Sequence, residues 1–161
     1  MTEAIIRLVA RALTAEAFAP YGQVIDAAEA GGRVAVAGPR NLRPGVGPRL
    51  GWFHVEASTL PLRTRVMERH RFSSQSFIPP EGAAWLLLVA PHGPDGGPEL
   101  TQARAFVADG AQAVTYAPDT WHHPLVALDR PGRFAVLTFL DDSGDDEEFV
   151  TLPAELLVVR S

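Results

Sequence analysis

The chain contains no lysine and no cysteine, so all 14 of its basic residues are arginine. Without a lysine amine there is no Schiff-base chemistry and no phosphate-loop lysine. Without a thiol there is no cysteine nucleophile, thiolate metal site, iron–sulfur cluster or disulfide. Long hydrophobic runs are also missing, since none approaches the roughly 18 residues of a membrane-spanning helix. Met1 to Arg11 carries an early acid and lacks the apolar stretch of a secretory leader. The last two absences point to a soluble, cytoplasmic protein with no membrane partner, while the lack of cysteine is neutral on compartment. A solid basic face is absent as well. Arg63, Arg65, Arg69 and Arg71 are interleaved with other residues and the net charge is −5, which argues against nucleic acid as a partner.

What remains is histidine, carboxylate, arginine, hydroxyl and backbone chemistry on a chain that can bury a core. Its 161 residues, 47% of them hydrophobic, suit a single domain spanning 1–161 that needs no cross-links. Fourteen glycines and fourteen prolines leave little room for long helices and favour short strands with turns. The expected class is therefore mainly β, a sandwich or barrel. One early helix is expected at Thr14-Ala-Glu-Ala-Phe-Ala, capped by Thr14 and ended by Pro20 and Gly22, followed by a strand at Gln23 to Asp26. Gly31 to Gly51 reads as a long loop holding one short strand, Arg33 to Ala37. Strand-length runs then follow at Gly51 to Glu56, Arg65 to Phe72, Ser74 to Ile78, Ala84 to Ala90, Ala103 to Ala108, Gln112 to Tyr116, His122 to Ala127 and Arg133 to Leu140. Trp85 to Ala90 is apolar at every position and so should be covered on both faces, at the barrel centre or by a second subunit. Asp141 to Glu148 packs six carboxylates into eight residues and reads as a solvated turn.

Two segments gather the polar groups that a small-molecule site needs. In Met67-Glu-Arg-His-Arg-Phe, strand alternation puts Glu68 and His70 on one face and Arg69 and Arg71 on the other. Burying two guanidinium groups is costly, so the arginines are expected outward and the acid and imidazole inward, where they must be paired or functional. In Tyr116-Ala-Pro-Asp-Thr-Trp-His-His-Pro, adjacent histidines on a strand point to opposite faces. Only one of His122 and His123 can then look into a barrel unless a bulge intervenes. His54 and His92 are read as structural or surface residues.

The strand-rich plan, with a His-bearing segment followed by Pro118-x-Thr120-x-x-His123, resembles a cupin, the small double-stranded β-barrel with its site inside and a few short peripheral helices. Phe72 stands where the first cupin motif would place a second metal histidine. At the family level the chain resembles the ureidoglycolate lyases, formerly called ureidoglycolate hydrolases, of allantoin degradation. The resemblance rests on Leu13 to Ile25, Met67-Glu-Arg-His with Ser74-Gln-Ser-Phe-Ile-Pro, Arg104-Ala-Phe, Gly110 to Tyr116, and Trp121-His-His-Pro-Leu. The chain departs from the family between Arg33 and Gly51, at Ala113 in place of glycine, and at Asp146-Glu-Glu in place of an Asn-Cys-acid segment.

The resemblance implies cleavage of (S)-ureidoglycolate, a small carboxylate, to glyoxylate and urea by a homodimer. Such an elimination needs a base, an acid and groups that hold the carboxylate, but no nucleophile. Glu68, His70 and His123 are the expected acid–base groups. Ser74 and Gln75 are expected to donate to substrate oxygens, Phe77 and Trp121 to wall the pocket, and His122 to contact substrate. No cofactor is assigned, although His70, His123 and Glu68 could together hold a divalent metal. The alternatives are a non-catalytic cupin that binds a small molecule, and a divergent cupin enzyme acting on a related carboxylate. A cupin isomerase or oxygenase would need a fuller metal constellation.

Overall fold

The structure is a computed structural model that describes residues 4–28, 31–36 and 38–161. Thirteen strands carry the fold: β1 (Ile5–Ala12), β2 (Gly22–Asp26), β3 (Arg49–Val55), β4 (Ala57–Ser58), β5 (Leu62–His70), β6 (Gln75–Ile78), β7 (Trp85–Ala90), β8 (Arg104–Ala108), β9 (Gln112–Tyr116), β10 (Trp121–His122), β11 (Val126–Leu128), β12 (Gly132–Thr138) and β13 (Glu147–Arg160). One helical turn, α1 (Ala15–Phe18), and a 3₁₀ turn at Leu100–Gln102 complete the described elements. Thr14 caps α1 as expected, its hydroxyl accepting from the Ala17 N–H at 3.2 Å.

Eight strands form one sheet in the order β10-β5-β13-β1-β8-β7-β11-β4, and five form the other in the order β2-β9-β6-β12-β3. The larger sheet closes on itself through β10, whose His122 pairs with Glu68 of β5 and whose Trp121 pairs with Ala90 of β7. Closure satisfies the backbone groups that an open edge would leave unpaired. The result is the expected mainly β, cupin-like barrel with few helical turns.

Strand β7 sits at the middle of this arrangement, and alternation explains why it is apolar throughout. Leu86, Leu88 and Ala90 pack into one core with Met67, Trp121, Leu152 and Leu156. Trp85, Leu87 and Val89 enter a second core with Phe77, Val114, Tyr116 and Phe134, between the two sheets. Both faces are thus covered within one chain, and this strand supplies no argument for a subunit interface.

Other differences have local causes. The expected strand His122 to Ala127 is split into β10 and β11 around Pro124, which has no N–H for the ladder. Residues 33–36 form no strand, and Ala37 lies outside the described residues, as do Met1 to Glu3 of the N-terminal segment. Strands β1, β4 and β13 were not anticipated. The first and last of these pair in parallel from Ile5 with Glu155 to Ala10 with Arg160. The register of β13 against β5 shifts between Thr151 and Leu156, the stretch that contains Pro153. Gly22 is required where β2 starts, because at its φ of 152° a Cβ would lie 1.9 Å from the Thr115 carbonyl oxygen.

Candidate active site

Strand register assembles the site. In antiparallel pairing, residues directly opposite one another share a face, with Cβ atoms about 5 Å apart. His122 lies opposite Glu68, while Phe149 lies opposite Glu68 and Glu147 opposite His70. Two strands, β5 and β10, therefore bring Glu68, His70 and His122 to one face, and potential ligand atoms of these three lie within 4.8 Å of one another. All three are buried, at 7%, 3% and 1% exposure.

His122 is held at both ring nitrogens. Its Nδ1 is 2.9 Å from the Thr120 carbonyl oxygen, which can only accept, so Nδ1 carries a hydrogen. Its Nε2 faces Gln75 Oε1 at 3.1 Å and Glu68 Oε1 at 3.3 Å. Two acceptor oxygens around one nitrogen suit a shared proton or a cation. The ring stacks on Tyr116 at 4.2 Å, whose own hydroxyl is pushed above its usual pKa by burial and by Glu68.

His70 presents the opposite situation. Its Nδ1 is 3.7 Å from the buried Asp146 carboxylate, and its Nε2 is buried with no hydrogen-bond partner. Burial, and then the neighbouring His122, push its pKa down, against the pull of Glu68, Asp146 and Gln75. Burial thus favours the neutral ring, and Nε2 lies unpartnered beside the Glu68–His122 pair.

Asp146 corrects the expectation of a wholly solvated acidic turn. Its side chain accepts from the Phe72 N–H at 2.6 Å and the Ser73 hydroxyl at 2.5 Å, and lies 3.7 Å from Arg43. The loop around Asn41 docks on the same turn, with the Leu42 N–H donating to the Phe72 carbonyl at 2.8 Å. This loop and Asp146 together brace the chain that carries His70.

The remaining candidates fall into two groups. Gln75 and Phe77 line a cleft of about 520 Å³ that also exposes Glu68. His123, by contrast, does not join His70. Alternation sends it to the other face of β10 from His122, where it contacts Thr64 Oγ1 at 2.9 Å and the Pro124 carbonyl at 2.7 Å. The Pro-x-Thr-x-x-His spacing selects His123, whereas strand pairing with Glu68 selects His122. Burial also pushes the His123 pKa down. Trp121 is fully buried on the side away from the cluster, donating to the Gly96 carbonyl at 3.0 Å. Ser74 is engaged with the Arg40 backbone, accepting from its N–H at 2.7 Å. Arg69 does lie opposite Glu68 and His70, yet it is only 16% exposed, paired with Asp119 and Glu148 and set 4.5 Å above the Trp121 ring. Arg71 is the more open of the two at 46%.

The cleft also brings in residues not expected there, among them His54, whose expected role was structural or surface. His54, Glu56, Glu147 and Phe149 line it beside Glu68, and no arginine is among its lining residues. Burial, with Glu68 and Asp146 nearby, raises the Glu147 pKa. Recognising Glu147 required seeing β13, whose alternation from Leu152 to Val158 is the one signal available in the sequence.

A cupin barrel implies a metal position, and one carboxylate with two imidazoles so close together fits a divalent ion. The unpartnered His70 Nε2 is the atom such an ion would satisfy. His122 takes the place expected of His123 in that set.

The chain matches the family described as ureidoglycolate lyase over residues 5–159. Among relatives, a ureidoglycolate lyase of Pseudomonas aeruginosa is 36% identical over 160 residues, covering 91% of this chain and 92% of the relative. The ureidoglycolate lyase of Schizosaccharomyces pombe is 31% identical, with 88% of each chain covered. A putative ureidoglycolate lyase of Agrobacterium fabrum is 38% identical, with 86% of each covered. Two solved structures are similar at low identity. A dTDP sugar isomerase from Desulfovibrio desulfuricans has a TM-score of 0.47 at 17% identity, covering 80% of this chain and 81% of that one. A variant of Bacillus subtilis oxalate decarboxylase has a TM-score of 0.42 at 16% identity, covering 88% of this chain and 30% of that one.

Proposed function

The chain belongs to the ureidoglycolate lyase family, and from that premise we propose that it cleaves ureidoglycolate to glyoxylate and urea at the cluster of Glu68, His70 and His122. The observation that carries this assignment is the buried, unpartnered Nε2 of His70 beside a Glu68–His122 contact of 3.3 Å. A base and a proton source are the two groups the elimination requires.

In this reading, His70 Nε2 takes the proton of the substrate hydroxyl. As that oxygen becomes the aldehyde of glyoxylate, the carbon–nitrogen bond breaks and its electron pair goes to the leaving urea nitrogen. That nitrogen takes the proton held among Glu68, Gln75 and His122 Nε2. The proton on His70 then returns to the pair, and the site is restored. Phe77 and Phe149 give the cleft apolar lining. A divalent ion held by Glu68, His70 and His122 would supply positive charge for the substrate carboxylate, which otherwise meets no arginine among the cleft-lining residues. The His70 lone pair can serve as base or as ligand, not as both at once. Metal analysis of protein purified without added ions, followed by assay after chelation, separates the two uses.

The decisive assay is release of urea and glyoxylate from ureidoglycolate by the wild type and by His70→Asn and His122→Asn. General acid or base catalysis contributes about 10²- to 10⁴-fold, so each variant should lose at least about 100-fold in turnover. Near-wild-type turnover in both would remove the assignment. A role in allantoin breakdown in the cytoplasm is part of the same proposal.

A homodimer is the proposed assembly. Leu50 and Trp52 on β3, both 74% exposed, and Ile78 on β6, 45% exposed, form an apolar patch on the outer face of the smaller sheet. Trp52 and Ile78 flank Ala135 in register. A second copy would cover this patch.

A further inference from the structure

Glu147 is the residue for which the mechanism above has no use. It lies in register opposite His70, on the face that carries the cluster, and lines the same cleft as Glu68 and Gln75. Its sequence neighbour Glu148 is engaged by Arg69 at 2.7 Å and Arg71 at 2.9 Å. Glu147 has no such cation among the described residues, and the titratable groups that act on it are Glu68, Asp146 and His122. Glu147 is exposed on the cleft side, so its acceptor-only carboxylate is open to hydrogen-bond donors of a molecule bound beside Glu68.

We propose that Glu147 is a specificity-determining residue that receives the ureido edge of the substrate. This inference rests on the function proposed above. A monosubstituted urea presents two N–H groups side by side on one edge, from its substituted nitrogen and from its terminal amide. A carboxylate accepts such a pair with both oxygens, as it does the fork of a guanidinium. Position agrees with chemistry. The hydroxyl and the ureido nitrogen leave the same carbon, so whatever takes the hydroxyl proton must have the ureido group beside it, and Glu147 is the cross-strand neighbour of His70. The class selected is 2-hydroxy acids bearing a planar N–H-rich group on the hydroxyl carbon. A 2-hydroxy acid lacking those donors would form no such pair of hydrogen bonds with Glu147 and would bind more weakly for it.

The test uses the full chain and two variants, Glu147→Gln and Glu147→Ala, with circular dichroism as the control for folding. Hydrogen bonds to a charged group lost from bound substrate and transition state alike raise KM while leaving kcat largely in place. The expected rise in KM for ureidoglycolate is about 10- to 100-fold. Product inhibition by urea should weaken by a similar factor, and inhibition by glyoxylate, which lacks the ureido edge, should not move. Two results in an active wild type would overturn the inference: KM and urea inhibition both unchanged, or a fall in kcat alone, which would place Glu147 in the proton transfers. A wild type that releases neither urea nor glyoxylate would overturn the proposed function, and this inference with it. Activity in the wild type with unaltered variants overturns only the role of Glu147.

Discussion

Replacing Asp146 by alanine tests whether the acidic segment braces the site or only decorates the surface. The carboxylate accepts two short hydrogen bonds, from the Phe72 N–H at 2.6 Å and the Ser73 hydroxyl at 2.5 Å. It also faces Arg43, whose side chain is 14% exposed and lies 3.7 Å away. Each hydrogen bond to a charged group is worth about 1.5–3 kcal/mol, and removing one partner of a buried ion pair costs about 3–5 kcal/mol. These overlap rather than add. Arg43 keeps Asp141 at 3.3 Å and the Phe139 carbonyl at 2.5 Å, and the hydrogen bond from the Arg71 N–H to the main-chain carbonyl of residue 146, at 2.8 Å, survives the substitution. The expected loss is therefore about 3–5 kcal/mol, a fall in Tm of about 6–20 °C for a domain of this size. Urea unfolding should show a lower midpoint at constant slope. Asp146→Asn keeps an acceptor for Phe72 and should lose less than half as much. Asp142→Ala, which removes an acid 81% exposed and paired with Arg49, should leave the midpoint unchanged. A loss for Asp146→Ala under about 1 kcal/mol, within the range of ordinary surface changes, would refute the reasoning.

Three further outcomes are expected. His123→Asn should retain turnover within a few-fold of wild type while His122→Asn does not, since only His122 meets Glu68; equal losses in an assay of urea release would contradict the geometry. Burial holds the pKa values of His70 and His123 below 6.5, so the folded chain binds fewer protons at these sites than the unfolded one. Stability from this source is complete above about pH 6.5 and is lost as pH falls below it toward the folded-state values. A urea midpoint at pH 5.5 no lower than at pH 7.5 in His-specific comparison, wild type against His123→Asn, would count against it. Trp52→Glu should convert a dimer to a monomer in sedimentation without loss of the barrel, and a wild type that sediments as a monomer would remove the proposed interface.

Local patterns carried much of the fold. Strands β7 and β9 have their expected cores because an all-apolar run and a short alternating run between turns leave little alternative. Strand β13 was hidden because its first half carries Glu147 and Glu148 and its middle carries Pro153, so its buried alternation emerges only from Leu152 onward. For the site, Glu68 and His70 were readable as inward residues from the cost of burying Arg69 and Arg71 together. Yet Arg69 is itself largely covered, because Trp121, Asp119 and Glu148 supply a ring and two carboxylates that no neighbouring sequence position predicts. The choice between His122 and His123 could not follow from alternation alone, which says that they differ but not which faces inward.

By itself, the sequence determined the chemistry available: no thiol and no amine, hence imidazole, carboxylate and amide groups, carried on short strands that alternate between faces. It also determined the family, through segments spread over most of the chain. Tertiary structure decided which of those groups meet. Register between β5 and β10 chose His122, register between β5 and β13 brought in Glu147, and packing against the β5–β6 turn buried Asp146 out of an acidic run. Each is a contact between residues distant in the chain, set by how strands pair across a closed barrel, and periodicity within a strand carries no information about its partner.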